Sequence, residues 1–103
     1  MMSSEKYEII KGYIAESVAK QDSSYLVDKV RAMNLVINGE ANYMRLNCTF
    51  SAPDGSAIVF TFKSYDPSGP CQNLPDINKI NLQLLQDQKV ISEISEVFDD
   101  RLY

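Results

Sequence analysis

A chain of 103 residues with 45% hydrophobic content is long and apolar enough to bury one core, and too apolar to stay disordered. Its formal net charge of −4 argues against a general nucleic-acid binder, which carries a basic surplus to neutralise phosphates. The absence of histidine removes the commonest acid–base side chain and the imidazole metal ligand.

The N-terminus, Met1-Met2-Ser3-Ser4-Glu5-Lys6, has neither the basic nor the apolar region of a secretory signal. The longest unbroken apolar run, residues 57–60, falls far short of a membrane span. A cytoplasmic location is expected, with no membrane partner. Two cysteines, Cys48 and Cys71, are too few for a disulfide framework and are expected to be reduced. The sequon Asn47-Cys48-Thr49 is idle without a secretory route.

The first predicted element is a helix over residues 5–20. Ser3 or Ser4 can cap it, acids stand in its first turn and Lys20 in its last. Tyr7, Ile10, Ile14 and Val18 form its apolar stripe, with Tyr13 on the flank. Residues 21–24 break the pattern. Residues 25–32 suit either a short helix, through Leu26, Val30 and Met33, or the approach to a strand. Alternation at Met33, Leu35 and Ile37 predicts a strand by Met33, ending at Asn38-Gly39, a strong two-residue hairpin signal. That loop would set Met33 opposite Met44.

The central prediction is the hairpin over residues 43–65. Pro53-Asp54-Gly55 reads as its three-residue loop, with glycine at the left-handed position. Pairing Ala52 with Ser56 then sets Phe50 opposite Ile58, Cys48 opposite Phe60, Leu46 opposite Phe62 and Met44 opposite Ser64, an apolar face. The other face pairs Thr49 with Val59, Asn47 with Thr61, Arg45 with Lys63 and Tyr43 with Tyr65. A one-residue slip would scramble both faces.

A Pro/Gly-rich loop over residues 66–75 follows. Read as one helix from Asp76, the last segment would set Asp87 inside the stripe of Ile80, Ile91, Ile94 and Phe98. Splitting it removes the conflict. Ile80, Leu82 and Leu84 alternate with Asn81 and Gln83 as a fourth strand. Asp87 then caps a helix over residues 88–101, with a stripe of Val90, Ile91, Ile94, Val97 and Phe98. The expected fold is α+β over residues 1–103: an antiparallel three- to four-stranded meander with N- and C-terminal helices packed on one face. Helix, three strands and helix in this order resembles the double-stranded-RNA-binding domain in outline. That family's basic Lys-Lys-x-Ala-Lys helix start is missing, and the last segment here is acidic.

Two surfaces are candidate partner sites. On the hairpin, Tyr43, Arg45, Lys63 and Tyr65 cluster, and the facing cations are unfavourable unless they splay into water, meet an acid or hold an anion. On the predicted last helix, Glu93, Glu96, Asp99 and Asp100 form an acidic ridge, either a solvated face or a contact for a basic partner. No catalytic, cofactor or metal site is expected. Ser17-Val18-Ala19-Lys20 spells S-x-x-K without its companion motifs, and the four glycines make no phosphate loop. The expectation is a small, acidic, non-enzymatic protein-binding domain: a stoichiometric inhibitor, immunity protein or chaperone-like adaptor. A small-ligand or nucleic-acid-binding domain using the open sheet face is the alternative. A homodimer is a further reading, through an edge at residues 25–37.

Overall fold

A computed structural model describes residues 2–39, 45–65 and 77–99, with the backbone alone for Tyr65, Ile77 and Asp99. Two helices, α1 (Ser3–Lys20) and α2 (Ser23–Arg31), come first. Five strands follow: β1 (Val36–Ile37), β2 (Arg45–Ser51), β3 (Ser56–Tyr65), β4 (Ile77–Gln86) and β5 (Lys89–Asp99). They form one antiparallel sheet in the order β1-β2-β3-β4-β5. The α+β class stands, with five strands instead of three or four.

In α1 the buried positions are Ser3, Tyr7, Ile10, Ile14 and Ser17, a seam at spacings of three and four residues. Val18, expected in the stripe, is 40% exposed, and Ser17 takes its place by donating its hydroxyl to the Ile14 carbonyl at 2.8 Å. Met2, not a serine, occupies the N-cap, with no side-chain cap bond. The helix packs on one side of the sheet, over β3 and β4. The Lys6 ammonium stands 4.7 Å from the centre of the Phe50 ring on β2, and the Tyr7 hydroxyl bonds Ser92 of β5 at 2.7 Å. Farther along the helix Ile10 and Ile14 join Ile58, Phe60, Phe62, Ile80 and Leu82 in the core.

Gln21 closes α1 in the left-handed region (φ 55°), with its N–H on the Val18 carbonyl and the Asp22 N–H on that of Ser17. Asp22 then caps α2 by accepting from the Ser24 and Tyr25 amides at 3.1 and 3.3 Å. Residues 25–31 are therefore helical, and Leu26 and Val30 are fully buried. Helix wins here because the cap and the i,i+4 apolar pair act together. The strand expected by Met33 starts only after a turn at Asn34 (φ 59°), leaving two residues for β1. An Asn38-Gly39 two-residue hairpin would face Ile37 with Glu40, but Ile37 pairs with Cys48. That hairpin is overturned, because α2 and its closing turn consume the residues its first strand needed. Its Met44 partner lies outside the described residues.

The β2–β3 hairpin has the expected register on every described rung, from Arg45↔Lys63 to Phe50↔Ile58. Ala52 N–H reaches the Ser56 carbonyl at 2.9 Å, and Gly55 has φ +87°. The rungs of Met44 and Tyr43 lie outside the described residues. The fourth strand is β4, as alternation predicted, but the C-terminal helix is overturned: residues 89–99 are β5. Asp87 and Gln88 both have positive φ, 51° and 69°, making a tight turn that pairs Gln86 with Lys89. β-branched Val90, Ile91, Ile94 and Val97 suit a strand, and pairing gives β4 a hydrogen-bonded neighbour along its whole length. With the last helix gone, the double-stranded-RNA-binding outline goes too. A register shift at Leu84/Leu85 sets Leu84 against Ser92 and Leu85 against Val90, making Ile91 the extra residue of a bulge.

Candidate functional site

Strand alternation and register divide the sheet into two faces. Leu46, Cys48, Ile58, Phe60, Phe62, Ile80, Leu82 and Phe98 point to the helices and are buried. On the opposite face no described outward side chain of β2–β5 is buried. This open face can be read as rows running across the strands. One row is Arg45–Lys63–Lys79–Val97, the next Asn47–Thr61–Asn81–Ser95, and the third Thr49–Val59–Gln83–Glu93.

The first row carries the charge. Arg45 stands level with Lys63, and Lys63 with Lys79, so three cations occupy neighbouring strands at one level, all solvent-exposed. Like charges directly opposed across strands are unfavourable, and an anion laid along the row reverses that sign. Beside it runs an open trough of about 400 Å³ bordered by Thr61, Lys63, Lys79, Asn81, Ser95 and Val97, with Ile80 and the acidic Glu96 also on its lining. Its rim is ordered by side-chain bonds. The Asn81 amide donates to Ser95 Oγ at 2.9 Å and to Glu93 Oε2 at 3.1 Å, and the Gln83 amide donates to Glu93 Oε2 at 2.7 Å. Those amides, Gln83 first, hold the Glu93 carboxyl below the usual carboxylate range. The trough can thus offer ammonium and hydroxyl groups to an acceptor-rich ligand.

The sequence-predicted residues fare differently. Arg45 and Lys63 are brought together as expected. Tyr43 lies outside the described residues, and Tyr65 ends β3 level with Ile77. The acidic ridge is not assembled. Three residues apart, Glu93 and Glu96 would share a helix face, but in β5 Glu93 is level with Gln83 on the open face and Glu96 with Ile80 on the helix side. Asp99 is level with Ile77 at the end of β5, and Asp100 lies outside the described residues. Sequence reasoning missed Lys79. Alternation back from Ile80 places it on the open face, but only the β3–β4 register sets it beside Lys63.

Two residue types with latent chemistry are placed in structural roles. Ser17 of the S-x-x-K match is buried with its hydroxyl on Ile14, while the Lys20 ammonium lies 4.0 Å from the Tyr25 ring centre. Cys48 is buried in the core, and burial raises its thiol pKa, against a smaller opposing effect of Arg31. Among the described residues no three potential ligands gather in a metal-binding group, and no helix is long and apolar enough to cross a membrane. No family model, curated protein or solved structure matches this chain.

Proposed function

We propose that this chain is a non-enzymatic protein-binding domain whose open sheet face takes an acidic segment of a partner protein, as a stoichiometric inhibitor or adaptor does. The observation that carries the reading is the row Arg45–Lys63–Lys79, three cations in direct register on an exposed face of a chain whose net charge is −4. Concentrating positive charge against the overall sign favours a local anion and gives the encounter a direction. The Asn47–Thr61–Asn81–Ser95 row beside it supplies neutral hydrogen-bonding groups for a backbone or carboxylate.

The second reading, a small anionic ligand or an oligonucleotide on the same face, is favoured by the trough of about 400 Å³. A titration separates the two. A hexaglutamate peptide and a single-stranded oligonucleotide of matched charge are added to 15N-labelled protein at low salt. The protein-binding reading expects the peptide to shift amides around Thr61, Lys63 and Lys79, with an affinity that falls as salt rises. The R45E/K63E variant should lose those shifts while keeping its fold. Preference for the oligonucleotide would favour the second reading. Shifts that survive the double charge reversal would remove the row from both.

A further inference from the structure

β5 is one edge of the sheet, and among the described residues no strand lies along its outer side. At 11 residues it is as long an edge as this sheet has, whereas β1 at the other end has 2. A long edge strand is a ready template for pairing unless something blunts it. This one also displays apolar side chains, since Val90, Ile91 and Val97 are 48%, 60% and 59% exposed. The two-residue β1 makes the edge at residues 25–37 a poor seat for a dimer.

The order of residues along β5 says what kind of strand fits. Written out, it is Lys-Val-Ile-Ser-Glu-Ile-Ser-Glu-Val-Phe-Asp, and its hydropathy is a palindrome about its middle residue, Ile94. A palindrome is what a two-fold axis requires, because in an isologous contact residue i meets j while j meets i. We propose that β5 pairs antiparallel with β5 of a second copy of this chain about an axis through Ile94, joining the two sheets into one.

In that register Ile94 meets its own copy, and Glu93 of each chain faces Ser95 of the second copy. Ser92 faces Glu96, and Ile91 faces Val97; beyond the bulge Val90 and Lys89 change sides and take no part. Apolar meets apolar at Ile94 and at Ile91 with Val97, and each glutamate meets a serine hydroxyl. Faces are respected as well, because both members of each of the pairs 93/95 and 92/96 lie on the same side of their sheet. Neighbouring in-phase registers lose this match. Centring on Glu93 or on Glu96 sets a glutamate against its own copy, and centring on Ser95 sets Ile94 against Glu96 and Glu93 against Val97. The bulge at Ile91 bends the outer rungs, so the regular stretch from Ser92 to Glu96 carries the register.

Sedimentation equilibrium of the full chain over a hundredfold concentration range tests this. The wild type is expected to reach twice the monomer mass. Ser95→Glu sets a second carboxylate against Glu93 of the facing copy at two symmetric rungs and is expected to leave only monomer. Adding Glu93→Lys in the same chain turns both rungs into opposite-charge pairs and is expected to restore the dimer. Circular dichroism confirms that each variant is folded, and Lys11→Gln, which also lowers the net charge by one, serves as a charge-matched control away from the edge. A wild type that stays monomeric throughout overturns the proposal and leaves the edge to a strand from a different protein. A dimer that survives Ser95→Glu, or one that the second substitution does not restore, overturns the register.

Discussion

Replacing Gly55 with alanine tests the contact that joins the two hairpin ends of the sheet. Gly55 has φ +87°, a region that costs an L-residue roughly 1–2 kcal/mol. An added Cβ would also stand 2.5 Å from Asp87 Oδ1 and 3.2 Å from Gln86 Nε2. The Asp87 side chain is exposed and can swing away, so the steric part alone is small. The Cβ also crowds the Gln86 amide, which bonds the Asp54 carbonyl beside the Asp87 N–H on the Gly55 carbonyl, two ties between the turns at 3.0 Å each. Losing one such bond costs about 1 kcal/mol. G55A is therefore expected to destabilise by about 2–3 kcal/mol, a large part of the stability of about 5–15 kcal/mol typical of a domain. Urea unfolding followed by circular dichroism should show a lower midpoint with an unchanged slope. Gly55→Asn, which tolerates the left-handed region, should cost less. In the G55A background, D87A should recover the smaller share. G55A within about 0.5 kcal/mol of wild type would refute the backbone argument, and full rescue by D87A would assign the whole cost to crowding.

Asp22→Ala removes the α2 cap and should cost about 1 kcal/mol in the same assay, with Asp22→Ser nearly neutral. Among the described residues three carboxyls are held below their usual range by hydrogen bonds: Asp22 by the Ser24 hydroxyl and the Tyr25 amide, Asp54 by Ser56, and Glu93 by Gln83 and Asn81. In the window below about pH 4 the unfolded chain binds protons that these folded carboxylates refuse, so stability present at neutral pH falls as acid is added. The D22N/D54N/E93Q variant should show a flatter midpoint between pH 5 and pH 2, and an unchanged slope would discount all three. Phe60→Ala empties a fully buried site on the central strand and should cost about 3–5 kcal/mol, measured by urea unfolding. In a Cys71→Ser background, Cys48 should react with a thiol reagent only as fast as the sheet opens, and faster in mild urea. Rapid labelling of the native protein would contradict its burial.

Much of the centre of this fold is legible in the chain. Pro53-Asp54-Gly55 and the alternation on either side of it specify the same register, and two independent local signals that agree leave little for the rest of the protein to decide. The same is true of α1, whose three-four spacing buries Tyr7, Ile10 and Ile14, and of the alternation in β4. Arg45 beside Lys63 follows from the hairpin alone.

The edges of the sheet were settled elsewhere. Val90, Ile91, Ile94, Val97 and Phe98 fit a helical stripe as well as a strand, and Asp87-Gln88 is a weak turn signal. What selects the strand is β4, whose backbone groups need partners along ten rungs that no helix could supply. Asn38-Gly39 reads as a hairpin only if residues 33–37 are free to extend, and the Asp22 cap with buried Leu26 and Val30 removes most of them. Lys79 joins the cation row through the pairing of β3 with β4, across residues 66–76, which hold no record of register. A period along one segment is a local property that its own side chains can declare. Strand order, register and the choice between two compatible periods depend on hydrogen-bonding partners distant in sequence, and only the assembled sheet supplies them.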